Sequence, residues 1–201
     1  MVGKRSFKLF TFSRLQGNYI LDRAEIVFKP PVKLCISSPV ERFVREVANG
    51  FLSSGNVNLY GKELRVASIE FPERAQIGDK VLCRTLSPIT VYSTLSMGDG
   101  RKKTYYYSPL EEEFSEIISK NLVKKVQAIT GKEGKGLVNI RPKHGSKLRE
   151  YICMFKGTVI KCWSGVYVLE GCRELIEMGY EAGLGSKNSL GFGMVEVVEH
   201  A

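Results

Sequence analysis

The chain has 201 residues, of which 43% are hydrophobic; that length is a prior for one large domain or two small ones, and the composition excludes a largely disordered protein. Thirty Lys and Arg against 21 Asp and Glu give a net charge of +9, which makes a polyanion the expected partner. No apolar run is long enough to span a bilayer and no extended basic amphipathic stretch is visible, so no membrane partner is expected.

From Phe7 to Leu15, apolar residues alternate with Lys8, Thr11, Ser13 and Arg14, the pattern of a half-buried strand. Gly17-Asn18 signals a turn. Tyr19–Phe28 and Val32–Ile36 then read as two extended segments separated by Pro30-Pro31. Ser37 or Ser38 is placed to cap a helix beginning at Pro39, with Val40, Phe43, Val44, Val47 and Phe51 at helical spacing and Gly55 as its end. Asn56–Phe71 returns as strand around a Tyr60-Gly61 turn, and the polar stretch Pro72–Asp79 is the preferred boundary.

Val81–Ser93 reads as a strand with Pro88 at an edge or bulge. A loop with Gly98, Gly100 and Arg101-Lys102-Lys103 leads into Tyr105-Tyr106-Tyr107. Ser108-Pro109 opens a helix whose first turn carries Glu111, Glu112 and Glu113, while Lys120, Lys124 and Lys125 suit its negative end. Its apolar stripe is Leu110, Phe114, Ile117, Ile118, Leu122 and Val126. Glu150–Phe155 and Thr158–Trp163 form a hairpin around Gly157, Arg173–Met178 a short helix, and Met194–Val198 a closing strand. Strand, helix, hairpin, helix, strand is the ferredoxin-like order that RNA-recognition modules also use.

Gly183, Gly185, Gly191 and Gly193, with Ser186, Lys187 and Asn188 between them, lie in eleven positions from 183 to 193. Glycine takes φ > 0 and allows close backbone approach. With its N–H groups exposed beside Lys187, the segment would form a concavity for a phosphate chain. The plainer alternative is a glycine loop that only joins two elements; the spacing is neither the dinucleotide fingerprint nor the P-loop.

The five cysteines, Cys35, Cys83, Cys153, Cys162 and Cys172, are odd in number and lack zinc-knuckle spacing. With no signal peptide, reduced thiols in a cytoplasmic protein are expected, without disulfide, metal site or cofactor.

Gly179-Tyr180-Glu181-Ala182, the 183–193 segment and Met194-Val195-Glu196-Val197 together resemble the C-terminal signature of the CRISPR repeat-RNA processing endoribonucleases, a branch of the RAMP superfamily. Phe7–Ser13 is similar to that family's first strand after the catalytic segment, Thr85–Ile89 to the strand opening its second domain, and Leu110–Leu122 to the helix after it. The resemblance implies an α+β chain of two tandem ferredoxin-like (RRM-like) domains, residues 1–74 and 80–201, the first truncated at its N-terminus, with a basic cleft between them. It implies binding of the CRISPR repeat, single-stranded or hairpin, within a precursor transcript, and cleavage without metal. A ribose 2′-hydroxyl attacks the adjacent phosphate, leaving a 2′,3′-cyclic phosphate and a 5′-hydroxyl; base, acid and cation are needed.

The chain departs from the family at its start. Family members carry the catalytic histidine ahead of the Phe7 strand, whereas the histidines here are His144 and His200. His144 stands among Arg141, Lys143 and Lys147, and phosphate contact or no role suits it better than catalysis. Lys8 matches the family's strand lysine, so the resemblance gives it the role of steadying charge on the scissile phosphate. A shortened first domain would leave a sheet face near Phe7, Leu9 and Phe12 uncovered, and a homodimer is expected to bury it.

For RNA contact, the glycine segment with Lys187 ranks first, Arg141, Lys143, Lys147 and Arg149 second, and Arg101, Lys102 and Lys103 beside Tyr105–Tyr107 third. Base stacking on a tyrosine is worth about 1–3 kcal/mol; the alternative is that the tyrosines fill a core. Two functions follow: a repeat-specific endoribonuclease, or an RNA-holding subunit without catalysis, alone or within a CRISPR interference complex.

Overall fold

A computed structural model describes residues 8–23, 25–59, 61–98 and 100–198; Phe7, Tyr60 and His200 lie outside them. The second half holds a four-stranded antiparallel sheet. It is built from β7 (Lys80–Thr85), β10 (Val138–Pro142), β13 (Val166–Gly171) and β14 (Val195–Val197), in the order β10-β13-β7-β14. Helices α2 (Glu112–Thr130) and α3 (Arg173–Ala182) complete the β–α–β–β–α–β sequence.

Register explains why this sheet has one apolar face. Tyr167 stands opposite Cys83, and Leu169 stands between Val81 and Ile140. All five are buried, as alternation along each strand requires. From α2, Phe114, Ile118, Leu122 and Val126 meet this face at spacings of four residues, and Leu175 and Ile176 of α3 join them. Each full burial of such a side chain stabilises by about 1.5–3 kcal/mol. Leu110, expected on the stripe, precedes α2 and is exposed.

Two hairpins are inserted into this frame: β8 (Tyr92–Ser96) with β9 (Lys102–Tyr106), and β11 (Arg149–Phe155) with β12 (Thr158–Ser164). The spacing predicts Glu150–Trp163 as the central hairpin of the ferredoxin-like unit. The central pair is instead β10 with β13, and β11–β12 projects from the connection between them. Short β10 offers only Val138 and Ile140 to the core, a weaker signal than the Ile152 and Met154 of β11, which are exposed. The single strand expected over Val81–Ser93 likewise ends at Thr85 and resumes at Tyr92, with Ile89 bridging to Trp163 between.

The first half comprises β1 (Thr11–Phe12), β2 (Gln16–Asp22), β3 (Glu25–Lys33), β4 (Ile36–Ser37), α1 (Glu41–Ser54), β5 (Asn56–Leu59) and β6 (Lys62–Arg65). The chain is thus α+β throughout, with two tandem units. Tyr19–Phe28 is not one strand: the chain reverses after Asp22 through Arg23 at φ 52°, and β2 pairs with β3. Pro30 and Pro31 lie inside β3 rather than between strands. Ser38 Oγ accepts from Val40 N–H at the start of α1 and donates to Leu9 O. Gly55, at φ 66°, closes α1 with its N–H on Phe51 O. Leu9 and Phe12 are half-buried within this chain, while Tyr19, Ile20, Leu21, Ile26 and Val27 of β2 and β3 are among the large exposed apolar side chains of this half.

Candidate nucleic-acid interface

The glycine-bearing segment leaves α3 and folds into a compact knot. Gly193 has φ 81°, and a Cβ there would lie 2.0 Å from Leu184 O; at Gly185, φ 71°, it would lie 2.6 Å from Thr90 O. Side-chain-free positions let the backbone reach these carbonyls. Ser186 N–H donates to Thr90 O, Gly193 N–H to Pro88 O and Leu184 N–H to Gly193 O, each at 2.8 Å, while Leu190 and Gly191 N–H bond Lys187 O and Asn188 O. These five donors do not form the expected open row for phosphates, because they are spent on carbonyls of the same fold. Gly183, Gly185, Asn188 and Gly193 are buried.

A charge sits inside the knot. Lys125 Nζ donates to Gly183 O at 2.6 Å, Asn188 Oδ1 at 2.7 Å and Ala182 O at 3.3 Å. Its residue is only 3% exposed, and burial lowers its pKa to about 7. Composition near the end of α2 places Lys125 in solvent facing the helix dipole; the fold buries it instead. The available signal was position: Lys125 lies three residues after Leu122 and seven after Ile118, on the apolar stripe. Asn188 Nδ2 in turn donates to Leu184 O and Phe192 O, so one lysine and one amide organise both ends of the knot.

The outer side of the knot carries Lys187, in the left-handed region at φ 59°, with Nζ 5.0 Å from the Tyr92 ring centroid. Tyr92 stacks obliquely on Tyr106, whose hydroxyl donates to Val159 O. The tyrosine triplet divides its labour. Tyr106 joins the hairpins, Tyr107 packs on the main core, and Tyr105 stays 42% exposed while donating to Glu111. Lys102 and Lys103 are exposed on β9, a strand rather than the expected loop, and Arg101 is exposed just before it.

Residues 8–14 lie against the knot. Thr11 and Ser13 are buried on one side; Lys8 and Arg14 are exposed on the other, with half-buried Phe10 and Phe12 between. Thr11 Oγ1 donates to Phe192 O at 3.0 Å, and the Phe12 ring occupies the space where a Cβ on Gly191 would be. Phe10 stacks on Phe43 at 4.8 Å. Lys8, Leu9, Phe10, Ser38, Val40 and Phe43 line an open groove of about 400 Å³. At the far end, the Arg14 guanidinium lies 4.2 Å from the Tyr151 ring centroid.

The side chains of the second basic group meet different partners. Arg141 reaches Glu170 at 3.9 Å; Lys143, His144 and Lys147 are exposed around the turn after β10; Arg149 donates to Tyr151 Oη at 3.3 Å. His144 is not among the residues lining the Lys8 groove. Among the described residues no cluster of His, Cys, Asp and Glu is arranged to hold a metal ion, and no helix is long and apolar enough to cross a membrane.

Residues 70–197 match the family model described as CRISPR associated protein Cas6, C-terminal. The chain belongs to the Cas6 family. A Cas6 endoribonuclease of Methanocaldococcus jannaschii, Cas6 1, is 34% identical over 97% of this chain and 76% of its own length. A solved structure of CRISPR associated protein Cas6 superposes with a TM-score of 0.84 at 30% identity, covering 96% of this chain and 80% of that one. A RAMP protein described as binding different RNA substrates superposes at 0.84 with 25% identity, over 95% of this chain and 80% of that one. Membership in the Cas6 family places this chain among CRISPR RNA-processing proteins.

Proposed function

We propose that this chain is a Cas6-type endoribonuclease that binds the repeat of precursor CRISPR RNA and cleaves it without metal. The carrying observation is the juxtaposition of Lys8 and an aromatic groove on the same segment that fastens the glycine knot. In the cleavage step the 2′-oxygen bonds to phosphorus as the bond from phosphorus to the 5′-oxygen breaks. The 2′-hydroxyl proton passes to a base and another proton reaches the departing 5′-oxygen. The Lys8 ammonium offsets charge building on the non-bridging oxygens. RNA then runs over the half-buried Ser186 and Lys187 on the rim of the knot and over the exposed cations Arg101, Lys102 and Lys103 at the first inserted hairpin and Lys143, Lys147 and Arg149 near the second. One relative is named an endoribonuclease and another is described as binding RNA substrates, which supports both halves of this reading.

A second reading, an RNA-holding subunit without cleavage, is favoured by one observation: His144 stands on an exposed turn and not in the Lys8 groove. End-labelled repeat RNA incubated with the chain in EDTA decides between them. A cyclic-phosphate product that falls by about 10²–10³-fold with Lys8→Ala supports the enzyme. A shifted band with no product supports the holding subunit.

A further inference from the structure

Most basic side chains of the inserted and central strands are occupied. Arg141 and Lys80 share Glu170, Arg84 is held by Glu196, and Lys161 by Glu150. Arg14 and Arg149 differ. Among the described residues neither guanidinium forms an ion pair with a carboxylate; both are instead held by the one side chain of Tyr151. Arg14 lies over its ring at 4.2 Å, while Arg149 donates to its hydroxyl at 3.3 Å. Tyr151 is itself fixed from below, packing on the buried cluster of Ile160, Cys162 and Phe192. The tyrosine is therefore a pedestal rather than an open stacking platform, and the outer layer it presents is two cations.

Backbone bonds fix where this pair stands. Arg14 N–H donates to Leu86 O at 3.0 Å, and Leu86 N–H donates to Met194 O at 2.8 Å, immediately beyond the glycine knot. Lys8 lies six positions earlier on the same exposed side of the segment, so at most about 20 Å of extended chain separates the two. Cations stand at both ends of residues 8–14, with half-buried Phe10 and Phe12 between them. Arginines already seated lose little rotamer freedom on binding, and a guanidinium edge takes two phosphate oxygens at once.

We propose that Arg14 and Arg149, seated on Tyr151, form a separate phosphodiester-binding station for the RNA strand, beyond the groove at Lys8. This rests on the RNA-binding reading given above and adds to it where the strand is gripped away from the reacting bond. Tyr151 acts as a positioning residue for both arginines.

The test is fluorescence anisotropy of a labelled single-stranded RNA of random sequence, about 30 nucleotides long, across a salt series. Arg14→Met keeps an apolar cover on Tyr151, and thermal melting confirms its fold. Arg14→Met and Arg149→Ala are each expected to weaken binding about tenfold and to flatten the salt slope by about 0.7. Arg14→Lys, which keeps charge but not the planar fork, is expected to recover only part of the loss. In a Tyr151→Leu background, Arg14→Met should cost less than it does alone, because the pedestal is already gone. Unaltered binding and slope in Arg14→Met, or losses at Arg14 and Tyr151 that simply add, overturn the station while leaving RNA binding intact. If the unaltered chain fails to bind this random-sequence RNA at all, the station, which grips the backbone and reads no bases, is overturned, while the repeat-binding reading keeps its own test with the labelled repeat.

Discussion

Lys125 Nζ lies 2.6 Å from the carbonyl oxygen of Gly183, so the residue that ends α3 is held by a charge from the last turns of α2. Three acceptors, Gly183 O, Asn188 Oδ1 and Ala182 O, match the three N–H groups of an ammonium. Replacing Lys125 with Met leaves these oxygens buried without a donor. A loss of about 2 kcal/mol is expected from the unsatisfied acceptors, a fall in Tm of roughly 4–8 °C for a chain of this size. An unchanged melting curve would show that the lysine is not needed to hold the knot.

The same lysine gives a pH dependence with a definite sign. Its folded pKa is lowered to about 7, while the unfolded value is about 10.4. Between those values the unfolded chain binds the extra proton, so the Lys125 contribution to stability rises with pH from about 7 upward and is constant below. Chemical denaturation at several pH values, comparing the natural chain with Lys125→Met, isolates this slope. A difference that falls across this range would contradict the burial-driven shift.

Glycines of the knot and glycines of open turns should separate cleanly. Gly193→Ala sets a Cβ against Leu184 O in a positive-φ residue, whereas Gly61→Ala, also at positive φ, meets nothing within 4 Å. The first is expected to cost about 3 kcal/mol or more, the second about 1 kcal/mol. Urea midpoints measure both. Equal losses would mean that backbone strain alone, and not close packing, explains the glycine content.

Salt dependence distinguishes paired from unpaired cations. If about five phosphates are neutralised, log affinity for single-stranded RNA should fall against log salt with a slope near −3.5. Arg141→Ala should change that slope little, since Arg141 already faces Glu170; Lys187→Ala should reduce it. The reverse order would place the RNA over the β10–β13 side of the sheet.

Elements with a strong apolar stripe or an obligatory glycine were readable in the residues alone. α2 announces itself through Phe114, Ile118 and Leu122, and α1 stops where Gly55 takes a left-handed conformation. The β2–β3 reversal was hidden because Asp22-Arg23 carries neither Gly nor Pro. The central β10–β13 pair was masked by a longer, more apolar hairpin that faces outward. The knot illustrates a different limit. Its glycines mark close approach in either interpretation, and only partners remote in sequence, Pro88 and Thr90, decide whether its donors face inward or outward. Lys125 was misplaced for the same reason: a helix-end lysine is normally solvated, and its three acceptors come from a segment more than fifty residues later.

Thr11 and Phe192 stand 181 positions apart and share one buried bond. This bond joins the front of the described chain to its rear, so any movement that parts them must break it. Swinging them apart would expose a hydroxyl and a carbonyl to be resolvated and pull the Phe12 ring from its seat on Gly191. If this chain holds a transcript as proposed, the strand meets a surface on which the two ends of the described chain are already fastened.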